Sequence, residues 1–110
     1  MASHEFGILF AHEEQNEQFY LYTPERFHSI SIDMDLIDGC GFIGETLDMP
    51  TFWHELSRPS HGLNEMGITL IPPTSLPDLR AAAIRHGFYE LAAMAEHALS
   101  LGCYIIHFGI

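Results

Sequence analysis

The sequence has 110 residues, 47% of them apolar, and its 15 acidic side chains against 4 basic ones give a formal charge of −11 with neutral histidines. This length and apolar content predict one domain, residues 1–110, that buries its own core. A field of this sign repels phosphate backbones and anionic lipid surfaces, which argues against a nucleic-acid or membrane partner and favours a basic protein.

Histidine and cysteine usage adds two expectations. Protonating all eight histidines would change the formal charge from −11 to −3, so the field weakens in mild acid. The chain starts without the basic segment of a secretory signal, and none of its apolar runs is long enough to span a bilayer. We therefore expect a cytoplasmic protein in which Cys40 and Cys103 are reduced and pack as small apolar residues.

Strands dominate the predicted elements of the first third of the chain. Residues 6–11 and 19–23 are apolar and aromatic runs on either side of a polar, acidic loop, which predicts an antiparallel hairpin. Residues 28–35 alternate between apolar and polar side chains, and this period of two predicts a strand that is covered on one face only. The apolar members are Ile30, Ile32 and Met34, and the polar members are Ser29, Ser31, Asp33 and Asp35.

Glycines and prolines loosen the pattern between residues 36 and 64. We expect a short helical or irregular piece at residues 36–47 and a helix at residues 51–57 that presents Phe52, Trp53 and Leu56. An apolar run at residues 66–71 then predicts a strand, which the two following prolines end because proline cannot donate to the ladder.

The C-terminal third is predicted to continue as a helical segment and a second strand. An alanine-rich helical pattern spans residues 77–101, with Gly87 as a break and Gly102 as C-cap. The final run at residues 103–108 is apolar apart from His107, so we place this strand at the centre of the sheet. We expect His107 to be a core histidine that is hydrogen-bonded to a neighbour.

A strand, a helical segment and a strand in succession predict a crossover whose two strands are parallel neighbours. The sequence as a whole therefore predicts an α+β or α/β fold. We expect a single domain with a mixed sheet of about five strands and with the C-terminal helices packed on one face.

Three carboxylates, those of Asp33, Asp35 and Asp38, lie close together at the end of the third predicted strand. An apolar strand that runs into Asp-x-Asp resembles the aspartate motif of haloacid-dehalogenase-like phosphatases, but the following Gly-Thr is missing and the chain has no lysine for the catalytic role. The cluster resembles a calcium-binding EF-hand loop only loosely, because Ile37 occupies a ligand position and Asp38 stands where glycine is needed. A solvated strand end, a divalent-cation site and an acidic surface for a partner are the three open interpretations.

The sequence carries no motif for catalysis or cofactor binding. The histidines form neither a His-x-x-x-His nor a His-Glu-x-x-His pair, no Gly-x-Ser-x-Gly elbow is present, and no glycine-rich loop is followed by lysine. The two cysteines lack the spacing of a zinc motif. We therefore predict no cofactor, no bound metal, and a binding module rather than an enzyme.

A small, strongly acidic chain without catalytic signatures resembles the immunity proteins with which bacteria neutralise their own polymorphic or contact-dependent toxins. The closing blocks at residues 67–73 and 104–110 also resemble uncharacterised bacterial proteins of similar length. The resemblance implies a protein that occludes the basic active cleft of a toxin domain, such as a nuclease, with carboxylates in place of substrate phosphates. We expect the partner contacts to come from acidic and aromatic side chains, namely Glu13, Glu14, Glu17, Tyr20, Tyr22, Asp33, Asp35, Asp38 and Trp53.

Two alternative functions stay open from the sequence. The three aspartates could support a metal-dependent hydrolase or lyase together with His28 or His54. The apolar strands at residues 6–11 and 19–23 could instead be open sheet edges, through which the chain forms a homodimer or joins a larger assembly.

Overall fold

Six β-strands and four α-helices make up the part of the chain that the computed structural model describes, which is residues 3–10, 24–27 and 29–110. The strands are β1 (Ser3–Leu9), β2 (Ile30–Asp33), β3 (Pro50–Trp53), β4 (Pro59–His61), β5 (Ile68–Ile71) and β6 (Tyr104–Phe108). The helices are α1 (Met34–Gly39), α2 (Phe42–Glu45), α3 (Leu76–Arg85) and α4 (Tyr89–Leu101), with short 3-10 turns at Pro24–Phe27 and Pro73–Ser75. The strands form one antiparallel sheet in the order β2-β1-β6-β5-β3-β4.

All four helices pack on the same face of this sheet. Their buried side chains share one core with Phe6 and Ile8 of β1 and Ile105 of β6. The helical members of this core include Ile37 of α1, Phe42 of α2, Leu79 of α3 and Leu91 of α4. The opposite face of the sheet carries a smaller apolar cluster, made of Leu9, Ile68, Leu70, Ile106 and Phe108. The predicted α+β class and the packing of the helices on one face are confirmed.

Strand β6 lies at the centre of the sheet, between β1 and β5, as its apolar sequence predicts. Its pairing with β5 is antiparallel, with Thr69 opposite His107, so the prediction that these two strands are parallel is wrong. The described sheet is antiparallel throughout rather than mixed. The reason is that α3 and α4 pack as a helical hairpin, bridged by the ion pair of Arg80 and Glu96. A single helix would return the chain to the start of β5, whereas two antiparallel helices reverse it once more.

Residues 50–61 form a β-hairpin instead of the predicted helix at residues 51–57. β3 pairs with β5 on one side and with β4 on the other. A β-branched residue followed by two aromatic ones, Thr51 to Trp53, prefers a strand, and pairing with the buried β5 decides the outcome. The hairpin closes where the Trp53 amide donates to the Arg58 carbonyl at 3.0 Å, and His54 takes a left-handed conformation with φ 64° in its turn.

The alternation predicted for residues 28–35 is confirmed in β2, although the strand is shorter. Ile30 and Ile32 pack toward the helices, while Ser31 and Asp33 point to the other face. The strand ends because Asp33 becomes the N-cap of α1, where its Oδ1 accepts a hydrogen bond from the Asp35 amide at 2.8 Å.

Strand β1 starts and ends earlier than the predicted strand at residues 6–11. It pairs with β2 on one side and with β6 on the other, so it is not the open sheet edge that its apolar sequence allowed. The predicted strand at residues 19–23, with the acidic loop before it, lies outside the described residues.

The two long helices are bounded as predicted. Gly87, with φ 78°, separates α3 from α4, and Gly102, with φ 67°, is the left-handed C-cap of α4. Within the described ranges, no helix has both the length and the apolar character that crossing a membrane requires.

Candidate functional site

A groove of about 430 Å³ runs along the edge of the sheet at β2. Its walls are residues 30–33 of β2, Leu36 of α1, and residues 87–91 at the α3–α4 turn. Two large side chains in the lining are exposed, Leu36 by 61% and Tyr89 by 68%. Exposed apolar and aromatic side chains beside a sheet edge are typical of a surface that contacts another molecule.

The groove is acidic. Asp33 and Glu90 belong to its lining, which includes no basic side chain. Asp35 and Asp38 are exposed on α1, the helix that contributes Leu36. Carboxylates therefore belong to the groove and to the helix beside it, and a surface of this sign is complementary to a basic ligand.

The arginines of the described surface are engaged away from this groove. Arg80 pairs with Glu96, Arg85 pairs with Glu45, and the Arg58 guanidinium lies over the Trp53 ring. The first two pairs are solvent-exposed and weak in energy, but they place these positive charges on α3 rather than beside β2. The negative charge at the groove is therefore not neutralised by these three arginines.

The predicted aspartates come together at one end of β2. Asp33 lines the groove and caps α1, while Asp35 and Asp38 lie three residues apart and share a face of that helix. The other predicted acidic and tyrosine contacts, Glu13, Glu14, Glu17, Tyr20 and Tyr22, lie outside the described residues.

Trp53 lies apart from this cluster. Its strand, β3, is separated from β2 by three other strands, which is about 19 Å at the usual strand spacing. The ring is half-buried, with the Arg58 guanidinium 4.8 Å from its centroid and the His54 ring against it. Trp53 therefore belongs to the β3–β4 hairpin and not to the groove.

Around Glu5, the face of β1 and β2 that points away from the helices is polar. The Glu5 carboxylate accepts hydrogen bonds from three serine hydroxyls, Ser3 at 2.8 Å, Ser29 at 3.1 Å and Ser31 at 2.5 Å. Asp33, opposite Ser3 in the ladder, shares this face. β2 thus carries apolar side chains on its helix face and hydroxyls with carboxylates on the other, and the groove at its edge is lined by residues of both kinds.

A pair of histidines is buried beneath the helices. The rings of His4 and His107 stack with centroids 5.0 Å apart, and His4 Nδ1 lies 2.8 Å from His107 Nε2, so one ring donates to the other. Burial lowers the pKa of both rings, that of His107 to about 3, and the neighbouring charge of His4 adds to the effect at His107. The carboxylates of Asp38 and Glu65 partly oppose the lowered pKa of His4. Both rings are therefore neutral at neutral pH.

The prediction of His107 as a hydrogen-bonded core histidine is confirmed. The outer nitrogens, His4 Nε2 and His107 Nδ1, are also buried, and neither finds a hydrogen-bond partner among the described residues. Since both side chains are fully buried, a substrate has no access to them. We assign the pair to the core of the fold.

The described part of the chain contains no cluster of metal-ligating side chains. Across residues 3–10, 24–27 and 29–110, no three His, Cys, Asp or Glu side chains are grouped so that they could hold a metal ion. His54 follows β3, on the far side of the sheet from the three aspartates, and His28 lies outside the described residues. The geometry thus gives the metal-dependent alternative no support.

Leu36, Tyr89 and Glu90 were missed as site residues, because the sequence alone does not bring their segments to β2. One signal was available for Tyr89, since it falls outside the apolar stripe of α4 and an aromatic residue there must face solvent or a partner. His4 could have been found as the neighbour of His107 from its spacing to Phe6 and Ile8, which places it on the same face of β1.

Comparisons with known proteins identify no relative. No family model, no curated protein and no solved structure matches this chain. The function is therefore argued from the chemistry of the site.

Proposed function

We propose that this chain is a cytoplasmic immunity-type protein that binds a basic toxin domain and blocks its active cleft. The observation that carries the proposal is the groove at β2, whose lining includes the exposed side chains of Leu36 and Tyr89 and the carboxylates of Asp33 and Glu90. Apolar and aromatic anchors supply contact area, and the carboxylates supply charge complementarity to a basic surface.

The charge of the whole chain supports the same kind of partner. A formal charge of −11 attracts a basic protein before contact is made and accelerates the encounter. A cleft that binds nucleic-acid phosphates is lined by arginine and lysine, and carboxylates can occupy such a cleft in place of phosphates. Cys40 and Cys103 are free thiols, which fits the reducing cytoplasm that the proposal includes.

The test is co-expression with the product of the adjacent gene in the genome that encodes this chain. We expect a stable complex in size-exclusion chromatography and the survival of cells that the partner alone kills. If the two proteins form no complex and the cells are not protected, the proposal is wrong.

A charge-neutralising pair of variants tests whether the groove is the surface used. Asp33→Asn with Glu90→Gln removes two charges from the lining of the groove, and we expect about a tenfold or larger loss of affinity. The matched control, Asp48→Asn with Asp78→Asn, removes two charges from a separate cleft next to Glu45. Equal losses in the two double variants would mean that the net charge matters and the groove does not.

A further inference from the structure

We infer that the partner contributes an extended segment that pairs as an added strand with the side of β2 that faces away from β1, and that this segment alternates apolar with basic side chains. The inference rests on the proposed function, because it describes how the basic partner occupies the groove at β2. Three observations on the described residues carry it: the character of the sheet edge, the side chains on its two faces, and their charge.

The two edges of the sheet differ in their openness to pairing. β4, at one edge, has three residues and begins with Pro59 directly after Arg58. A short strand and a proline both protect an edge against pairing. β2, at the other edge, has four residues without proline or a basic side chain, and no described strand pairs with the side that faces away from β1. Backbone groups that have no strand partner among the described residues are the kind to which an extended peptide adds as a strand.

The side chains beside β2 determine what the added strand carries. On the helix side, the isoleucines of β2 form an apolar surface with Leu36 and Tyr89, which fits an apolar side chain at every second position. On the other face, the carboxylates of Glu5 and Asp33 fit a basic side chain at the positions between. Because successive residues of a strand point to opposite faces, an alternating apolar and basic segment satisfies both faces at once.

Charge argues against a second copy of this chain as the occupant. Two chains of formal charge −11 repel each other. A basic segment does not carry this cost.

The probe is a peptide of about ten residues that alternates valine with lysine. We expect saturable binding to the whole chain in calorimetry, and the largest amide chemical-shift changes at residues 30–33. A peptide that does not bind, or that shifts amides elsewhere, overturns the inference.

N-methylated peptides separate strand addition from simple charge attraction. One version is methylated at every valine amide and the other at every lysine amide, so that both keep the charge. Alternate N–H groups of a strand point to opposite sides, and each version therefore loses the donors of one side only. Strand addition predicts that one version binds about tenfold or more weakly than the other. Equal binding by the two versions contradicts it.

Variants of the chain locate the binding surface. Leu36→Ala with Tyr89→Ala should weaken binding of the unmethylated peptide, whereas Leu47→Ala with Met66→Ala should bind it as the unchanged chain does. The control side chains are 58% and 70% exposed, close to the 61% and 68% of the tested pair, so folding is preserved to a similar degree in both. Equal loss of peptide binding in the two double variants overturns the inference. It is also overturned if the unchanged chain forms a dimer and only Leu36→Ala with Tyr89→Ala abolishes that dimer, because a second copy would then occupy the groove.

These outcomes distinguish the inference from the proposed function. If the adjacent gene's product is bound and neutralised while both methylated peptides bind alike, the function stands and strand addition fails. If the peptide pairs with β2 while the adjacent gene's product is neither bound nor neutralised, the edge accepts a strand and the immunity function fails.

Discussion

Gly67 is the residue at which the rings of Trp53 and His54 meet the backbone of the sheet. Its φ is 83°, and a Cβ built there would lie 2.7 Å from Trp53 Nε1 and 2.8 Å from His54 Nε2. Gly67→Ala should therefore destabilise the fold through both backbone strain and overpacking, by about 2–4 kcal/mol. Gly87 has a similar φ of 78° with open space around its Cβ, so Gly87→Ala should cost only the backbone strain, about 1–2 kcal/mol.

Urea unfolding of the two glycine variants measures these costs separately. The difference between them isolates the collision with the two rings, because the backbone contribution is shared. If Gly67→Ala and Gly87→Ala destabilise equally, the rings of Trp53 and His54 are free to move aside.

The buried His4 and His107 rings make the stability of the fold dependent on pH. Both have a pKa below the ordinary 6.5, that of His107 at about 3, because burial disfavours the charged ring. In the unfolded chain they titrate near 6.5, so below that pH the unfolded state binds more protons than the folded one. The stabilisation is therefore complete above pH 6.5 and is lost as the pH falls. For His107 the loss continues toward pH 3, by up to about 1.4 kcal/mol per pH unit, and His4 contributes in the same direction.

His107→Gln should flatten this dependence, because glutamine keeps a hydrogen-bonding side chain but does not titrate. The pH dependence is measured by urea unfolding at about pH 7.5 and about pH 5. Both values lie above the range in which most carboxylates protonate, so carboxylates contribute little to the difference. His97→Gln is the matched control, since it removes a histidine from the exposed surface and leaves the buried pair in place. If His107→Gln keeps the full pH dependence of the unchanged chain, groups other than the buried pair are responsible.

Among the elements, α1 depends strongly on its N-cap. It has six residues, too few for a helix to be stable by itself, and Asp33 satisfies the amide of Asp35 at 2.8 Å. Asp33→Ala should therefore destabilise the fold by about 1 kcal/mol, whereas Asp33→Asn keeps an oxygen acceptor and should cost only a few tenths. Urea unfolding measures both, and equal effects would show that the charge of Asp33 matters rather than its cap.

The elements that the sequence predicted correctly are those whose signals are local. Each of these signals determines the structure of its own few residues. They are the alternation in β2, the glycines at 87 and 102, and the apolar run of β6. The errors at β3 and at the β5–β6 pairing arose from tertiary contacts. Residues 51–53 extend because β5 offers a buried partner strand, and β6 runs antiparallel to β5 because two helices, not one, connect them.

For the whole molecule, the sequence predicts the sign of the charge and one carboxylate cluster, but not the groove beside that cluster. Composition alone gives the sign of the charge, and Asp33, Asp35 and Asp38 were recognised because they are neighbours in the sequence. The groove exists only after α1 and the α3–α4 turn have folded against β2, and this brings Leu36 next to Tyr89. Segments so far apart in the chain carry no sequence signal of their contact, so the apolar half of the site could not be predicted.

The salt dependence of association with the adjacent gene's product tests most directly whether charge at this surface drives binding. Between about 0.05 M and about 0.5 M NaCl, the Debye length falls from roughly 14 Å to roughly 4 Å, which screens charges that are not in contact. We predict that the association rate measured by stopped flow falls about tenfold or more over this range, while the dissociation rate changes much less. An association rate that is the same at both salt concentrations would contradict the proposal that this acidic chain acts by binding a basic partner.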